Sequence, residues 1–190
     1  RAFTGRSKFL KMEGGYHGSY DPVEISIAPG PDGPVWPAGE PDEIGLSPAL
    51  TSEVLVAPFN DIETTSAIVE KHHDEIAGVI VEPFQRVIAP VPGFLEGLRE
   101  LTQQYRIPLI FDEIVTGFRF AYGGAQEYYG VTPDLCTLGK AVAGGFPLTA
   151  VAGREEIMRH FDAGAVDGDS FIPQIGTLSG NPVAAVAGLA

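Results

Sequence analysis

Between Val54 and Leu138 the chain alternates short, unbroken apolar runs with longer amphipathic stretches, and few folds accept that pattern. Val54-Leu55-Val56-Ala57, Ala77-Gly78-Val79-Ile80-Val81, Ile107-Pro108-Leu109-Ile110-Phe111 and Leu135-Cys136-Thr137-Leu138 lack the polar alternation of a strand with one wet face. They read as strands buried on both sides, the mark of a parallel sheet. Between them a helix is predicted from about Ile62 to His72, opened by Asn60 or Asp61 as N-cap. Another starts near Pro92 and sets Phe94, Leu95, Leu98, Leu101 and Tyr105 on one face, with Glu96, Arg99, Glu100 and Gln103 opposite. Lys8 to Met12 reads as a further strand, and a last helix begins near Pro182. Alternating strands and helices give an α/β fold whose parallel sheet is covered on both faces.

Composition narrows the function. The 190 residues carry 12 Lys+Arg against 25 Asp+Glu, a formal net charge of −13, and are 44% hydrophobic. Nucleic acid and anionic membrane surfaces would be repelled, whereas a small anion could still bind locally. The single cysteine, Cys136, rules out an internal disulfide framework and a multi-thiolate zinc site, and its apolar strand makes it a small core residue. No apolar run approaches the roughly 20 residues that span a bilayer, so a cytoplasmic protein is expected. The chain opens at Arg1 and closes inside the apolar run from Pro182 to Ala190, so the expectation is a piece lacking segments at both ends.

Tyr16 to Leu50, crowded with Gly, Pro, Asp and Glu, reads as a long irregular loop of the kind that forms binding loops or lids. In open α/β sheets ligands collect beyond the carboxyl ends of strands, and Glu82, Asp112 and Lys140 all stand at such positions. Of the four lysines, Lys8, Lys11 and Lys71 look ordinary. Lys140 has no charged neighbour in Thr137-Leu138-Gly139-Lys140-Ala141-Val142-Ala143-Gly144-Gly145, and a desolvated, neutral amine there could attack an aldehyde. A phosphate-binding or snorkelling lysine explains the segment equally well on its own. Asp112, at the end of a buried strand, needs a cationic partner. A pyridoxal phosphate ring offers both complements: an aldehyde for a lysine and a pyridine nitrogen that an aspartate holds protonated.

The segments Phe111-Asp112-Glu113-Ile114-Val115-Thr116-Gly117-Phe118-Arg119 and Asp134-Leu135-Cys136-Thr137-Leu138-Gly139-Lys140 are similar to the signature of the class III, fold type I pyridoxal-phosphate aminotransferases. Tyr122-Gly123-Gly124, Gly130-Val131-Thr132-Pro133-Asp134 and Gly176-Thr177-Leu178-Ser179-Gly180-Asn181-Pro182 most resemble the glutamate-1-semialdehyde aminomutases and their close transaminase relatives, which implies transamination or intramolecular amino transfer, and the likeness runs from Gly5 to the end. The resemblance implies that residues 1–190 are the central part of the cofactor-binding large domain, with an N-terminal segment and a C-terminal small domain lying elsewhere. It makes Lys140 the internal-aldimine lysine and proton shuttle, and Asp112 the partner of the pyridinium nitrogen. Ile114 and Tyr16 would pack the two ring faces, His17 would be structural or an orienting hydrogen-bond partner, and Thr177 would reach the phosphate of the neighbouring subunit, implying a homodimer. The substrate would be an amino acid or amino aldehyde.

Glu82, before Pro83, would lie at the site rim or support Asp112, or else be a strand-end carboxylate satisfied by backbone N–H groups. After Glu82-Pro83 the family's Gly-Asn segment is replaced by Phe84-Gln85-Arg86-Val87-Ile88-Ala89-Pro90, in which Gln85 could take the place of the asparagine at the cofactor's ring oxygen. Adjacent His72 and His73 point in different directions on a helix and read as a solvated face rather than a metal site. Glu113 and Asp112 face opposite sides of a strand, so they form no acid/base pair. The competing reading is a non-catalytic α/β binding protein, or a cofactor-free pseudo-enzyme in which the same residues only pack.

Overall fold

The computed structural model describes residues 1–28, 30 and 33–190. Strands β1 (Lys8–Met12), β2 (Val54–Ala57), β3 (Ile76–Val81), β4 (Leu109–Glu113), β5 (Leu135–Leu138) and β6 (Ala150–Gly153) form one sheet in the order β2-β1-β3-β4-β5-β6. Pairing is parallel from β2 through β5, and β6 runs antiparallel to β5. Helices α1 (Pro48–Thr51), α2 (Ile62–His72), α3 (Phe94–Gln104), α4 (Gly124–Tyr129), α5 (Glu155–Met158) and α6 (Pro182–Leu189) complete the regular structure.

The α/β expectation holds, with α2 at its predicted boundaries. Its N-cap is Asp61, whose side chain accepts the backbone N–H of Thr64, whereas Asn60 bridges Ala89 O and Val91 N instead. The final helix is capped by Asn181 and starts at Pro182. The fourth strand is displaced from its predicted place: β4 begins at Leu109 and contains Asp112 and Glu113, because the parallel ladder with β5 continues through both residues. Strand β6 and helix α4 were not predicted. Ala150-Val151-Ala152-Gly153 carries no periodic signal, and α4 starts in the glycine pair Gly123-Gly124.

Alternation along the strands sends Leu10, Met12, Leu55, Ala57, Val79, Val81, Leu109 and Phe111 to one face, where they meet Ile68 and Val69 of α2 and Phe94, Leu95 and Leu98 of α3. Full burial of such side chains contributes about 1.5–3 kcal/mol each. The opposite face is less fully covered. There Ile25, Val54 and Val56 form a smaller cluster under the Tyr16–Leu50 segment, while Ile80 and Ile110 remain half-buried and Val151 of β6 is exposed. That segment is ordered where described. It holds a 3-10 turn at Asp21–Val23, helix α1, and isolated bridges pairing Ile25 with Pro41 and Ala38 with Leu55.

What fastens the segment to the sheet is Lys11. Far from being an ordinary flanking lysine, it is fully buried within β1 and donates to the carbonyls of Val23, at 3.3 Å, and Ile25. Burial pushes its amine down to about 8; Asp42, Glu13 and Glu82 oppose that shift and Arg86 adds to it. The folded chain thus releases a proton at lower pH than the unfolded chain. From about pH 8 to 10.5 the unfolded state binds more protons, so Lys11 makes stability rise with pH across that window. Wild-type stability should gain about 3 kcal/mol relative to Lys11→Met over this range. Denaturant unfolding at several pH values measures it, and parallel pH profiles for the two proteins would contradict the burial argument.

Candidate active site

Strands β1, β3, β4 and β5 are consecutive neighbours, so the residues that follow their carboxyl ends converge on one edge of the sheet. From β1 come Tyr16 and His17, from β3 Glu82 and Gln85, from β4 Asp112 and Ile114, and from β5 Lys140. Thr177 comes from a different part of the chain. It is exposed, in a groove of about 490 Å³ shared with Pro147, Leu148 and Thr149.

Asp112 is the best-held of these groups. The His17 Nδ1–H donates to its Oδ2 at 2.7 Å, while the Ile114 amide and the Thr137 hydroxyl donate to Oδ1 at 3.1 and 3.2 Å. Thr137 lies directly opposite on β5. Burial pushes the carboxyl upward, but the hydrogen bond and charge of His17, aided by Ile114 N–H and Thr137, outweigh it and hold the group below its ordinary range. The side chains of His17 and Asp112 are only 2% and 8% exposed, so this is a desolvated pair rather than a surface contact.

Glu82 is buried and accepts the Tyr16 backbone N–H at 2.9 Å. It therefore fixes the Tyr16 loop, the strand-end alternative considered above, and has no hydrogen bond to Asp112. Gln85 is buried beneath the same loop and donates to Glu13 O at 2.7 Å. Its Oε1 and the Nε2 of His17 both lack a protein partner among the described residues. Glycine at residue 15 eases the passage of the loop there. A Cβ there would lie 3.0 Å from Met12 O and 3.2 Å from His17 Nε2.

Lys140 opens the 3-10 turn Lys140–Ala143 with φ 48, a left-handed backbone that a lysine seldom adopts. Contrary to the expectation of desolvation, Lys140 is exposed and has no ion-pair partner among the described residues. A Cβ on the preceding Gly139 would sit 2.8 Å from Ile114 Cδ1, so glycine allows Ile114 to lie against the lysine turn. Glu113 faces away from Asp112, as expected. It is fully buried, taking the Thr116 hydroxyl, the Ala125 amide and the Gln126 carboxamide, and so anchors the start of α4. Sequence reasoning passed over Thr137 and Arg86. Register opposite Asp112 could have revealed the first; the second, with φ 59, carries no sequence mark of its strain.

Residues 1–190 match the aminotransferase class-III family. The chain belongs to this family. It is 47% identical over 194 aligned residues to a glutamate-1-semialdehyde 2,1-aminomutase of Methanosarcina acetivorans, covering all of this chain and 43% of that protein. It superposes on an omega-transaminase from Sphaerobacter thermophilus with a TM-score of 0.90 at 45% identity, covering 100% of this chain and 44% of that one. A transaminase with PLP bound gives 0.87 at 32% identity, with 100% and 43% covered. The chain thus spans less than half the length of these relatives, and its sheet is that of the fold type I transferases.

Class III aminotransferases depend on pyridoxal phosphate, and the residues here fit that group. Asp112 is an acceptor-only carboxylate held ionised, which is what a protonated pyridine nitrogen requires. Lys140, two residues beyond the adjacent strand, presents an amine with no partner among the described residues.

The buried His17–Asp112 pair can be tested without any ligand. Removing either partner leaves the other desolvated and uncompensated, so His17→Ala and Asp112→Ala should each destabilise by about 3 kcal/mol. The double mutant should lose less than the sum, with a coupling of about 1–3 kcal/mol in a denaturation cycle. Additive losses would mean that the two side chains do not act as a pair.

Proposed function

We propose that the chain is the central, cofactor-holding part of a class III enzyme that transfers an amino group from, or within, an amino acid or amino aldehyde. The observation carrying this reading is the convergence of Lys140, ionised Asp112 and Tyr16 at the ends of adjacent strands. The non-catalytic alternative is not favoured by family membership. Pyridoxal phosphate, when bound, supplies an electron sink for the carbon that bears the amino group. Lys140 Nζ would attach the cofactor and, once displaced by the substrate amine, carry the proton to and from that carbon. Asp112 would keep the pyridine nitrogen protonated, and His17 would hold Asp112 in place through Oδ2. Ile114 and Tyr16 would flank the ring, with Glu82 steadying the Tyr16 backbone. Gln85 would serve the ring oxygen through the second N–H of its carboxamide, the first being given to Glu13 O.

Within this reading the N-terminal segment and small domain are supplied by chain beyond these residues, and Thr177 acts on the phosphate in the partner of a homodimer. Among the described residues no helix is long and apolar enough to cross a membrane, and the buried, unpaired Cys136 suits the cytoplasm.

In the complete polypeptide Lys140→Ala should abolish covalent cofactor attachment. Peptide mapping after borohydride reduction checks this, and a pyridoxyl label on Lys8, Lys11 or Lys71 would overturn the assignment.

The intersubunit role of Thr177 has its own test. Inactive Lys140→Ala and Thr177→Ala chains, mixed to form heterodimers, should regain partial activity, because one site then carries both lesions and the other none. No recovery in verified heterodimers would place the contact within one subunit.

A further inference from the structure

Arg86 sits at the site without a role in the machinery described above. Gln85 N–H donates to Ile88 O at 3.0 Å and Ile88 N–H returns to Gln85 O at 2.8 Å, closing a two-residue hairpin with Arg86 at its first central position. Such turns ordinarily carry glycine there, yet this one holds an arginine at φ 59. Backbone strain of this kind persists where the side chain is needed.

The side chain is held as well as strained. Its Nε donates to Gly14 O at 3.3 Å, and its guanidinium carbon lies 5.2 Å from the centroid of the Tyr16 ring. Glu82, the nearest carboxylate, is 4.0 Å from Nε, and its Oε2 is already engaged by the Tyr16 amide. Among the described residues the two terminal nitrogens of Arg86 have no protein acceptor, and the side chain is 46% exposed. Most other arginines are engaged elsewhere: Arg1 on Glu53, Arg99 and Arg154 on Asp134, Arg6 on Ile76 O, Arg119 on Val115 O and Arg159 on Ala165 O; Arg106, without a side-chain partner among the described residues, follows α3 away from the site.

A guanidinium that keeps its charge at any physiological pH, with an unused fork, is built to take a carboxylate through two parallel hydrogen bonds. A chain of net charge −13 repels anionic substrates, so a local cation at the rim is what would let one settle. We propose that Arg86 is a specificity-determining residue that receives the carboxylate of the amino substrate beside Tyr16. This rests on the reading of the site as an amino-transfer centre. The strained turn fixes the fork before the substrate arrives, so little side-chain freedom is lost on binding.

The test uses the complete polypeptide with pairs of amines that differ only in the carboxylate, alanine with ethylamine and 4-aminobutanoate with propylamine. In single-turnover reactions followed by cofactor absorbance, Arg86→Gly should lower the preference for the carboxylate member about 10- to 100-fold. Arg86→Lys should fall between the two, and Arg86→Gly should melt no lower than wild type, since glycine relieves the turn. Equal losses for both members of a pair would overturn the proposal.

A second measurement needs no turnover. 4-Aminobutanoate, but not propylamine, should slow modification of Arg86 by phenylglyoxal, as mapped by mass spectrometry, and absence of protection would also overturn it. Cofactor attachment at Lys140, measured on the same wild-type preparation, separates the two readings. If it is missing, amino transfer fails; if it is present and protection is absent, only the role of Arg86 fails.

Discussion

Desolvated carboxylates dictate how the pieces of this chain meet. An ionised carboxylate removed from water must recover its hydrogen bonds from the protein, and a parallel strand cannot supply them from its own backbone. Each buried acid at the carboxyl side of the sheet therefore draws in a distant segment. Glu82 takes the backbone of Tyr16, Asp112 takes His17 and Thr137, and Glu113 takes the start of α4. Asp134, before β5, takes Arg99 of α3, Arg154 after β6 and the amide of Leu109. Burial raises Asp134 while the Leu109 amide and the two arginines lower it further, so it stays ionised. The bonds that satisfy Glu82 and Asp112 align the loops of the site, whereas those of Asp134 brace the opposite end of β4 and β5.

Lys11 is the inverse case, a buried cation satisfied by carbonyls. It ties the Tyr16–Leu50 segment to β1, five residues before Tyr16, while Glu82 and Gln85 tie down the stretch between. The aromatic ring and the imidazole are thus held from both sides, through a strand lysine on one and the β3 turn on the other. Deleting any one tie leaves a polar group to find another partner.

Unbroken apolar runs made β2, β3 and β5 legible, because strands buried on both sides leave no polar alternation, and an amphipathic spacing made α2 and α3 legible. Both signals failed for β6, whose four small residues fit any period, and for α4, which exists because Glu113 anchors its first turn. Asp112 and Lys140 were legible because a polar residue ending an apolar run has few structural reasons to be there. Lys11 was not, although the signal existed: it stands between Leu10 and Met12 inside the strand itself, so its amine had to be buried or snorkel. Lys140 shows the converse, since a segment without charged residues is not a covered one, and here the lysine is exposed.

Backbone strain marks what side-chain chemistry alone leaves undecided. Lys140 and Arg86 both adopt positive φ, as glycine would at no steric cost, and both follow the carboxyl end of a strand, β5 for the first and β3 for the second. Their surroundings differ in a way that separates their parts. Lys140 follows a strand paired to the one holding Asp112, within reach of chemistry that needs a titratable amine. Arg86 lies over the Tyr16 ring with a guanidinium that keeps its proton, which suits an anion rather than proton transfer. On the reading proposed above, Lys140 would meet the amino group of a substrate and Arg86 its acid group, so the two cations would set its orientation.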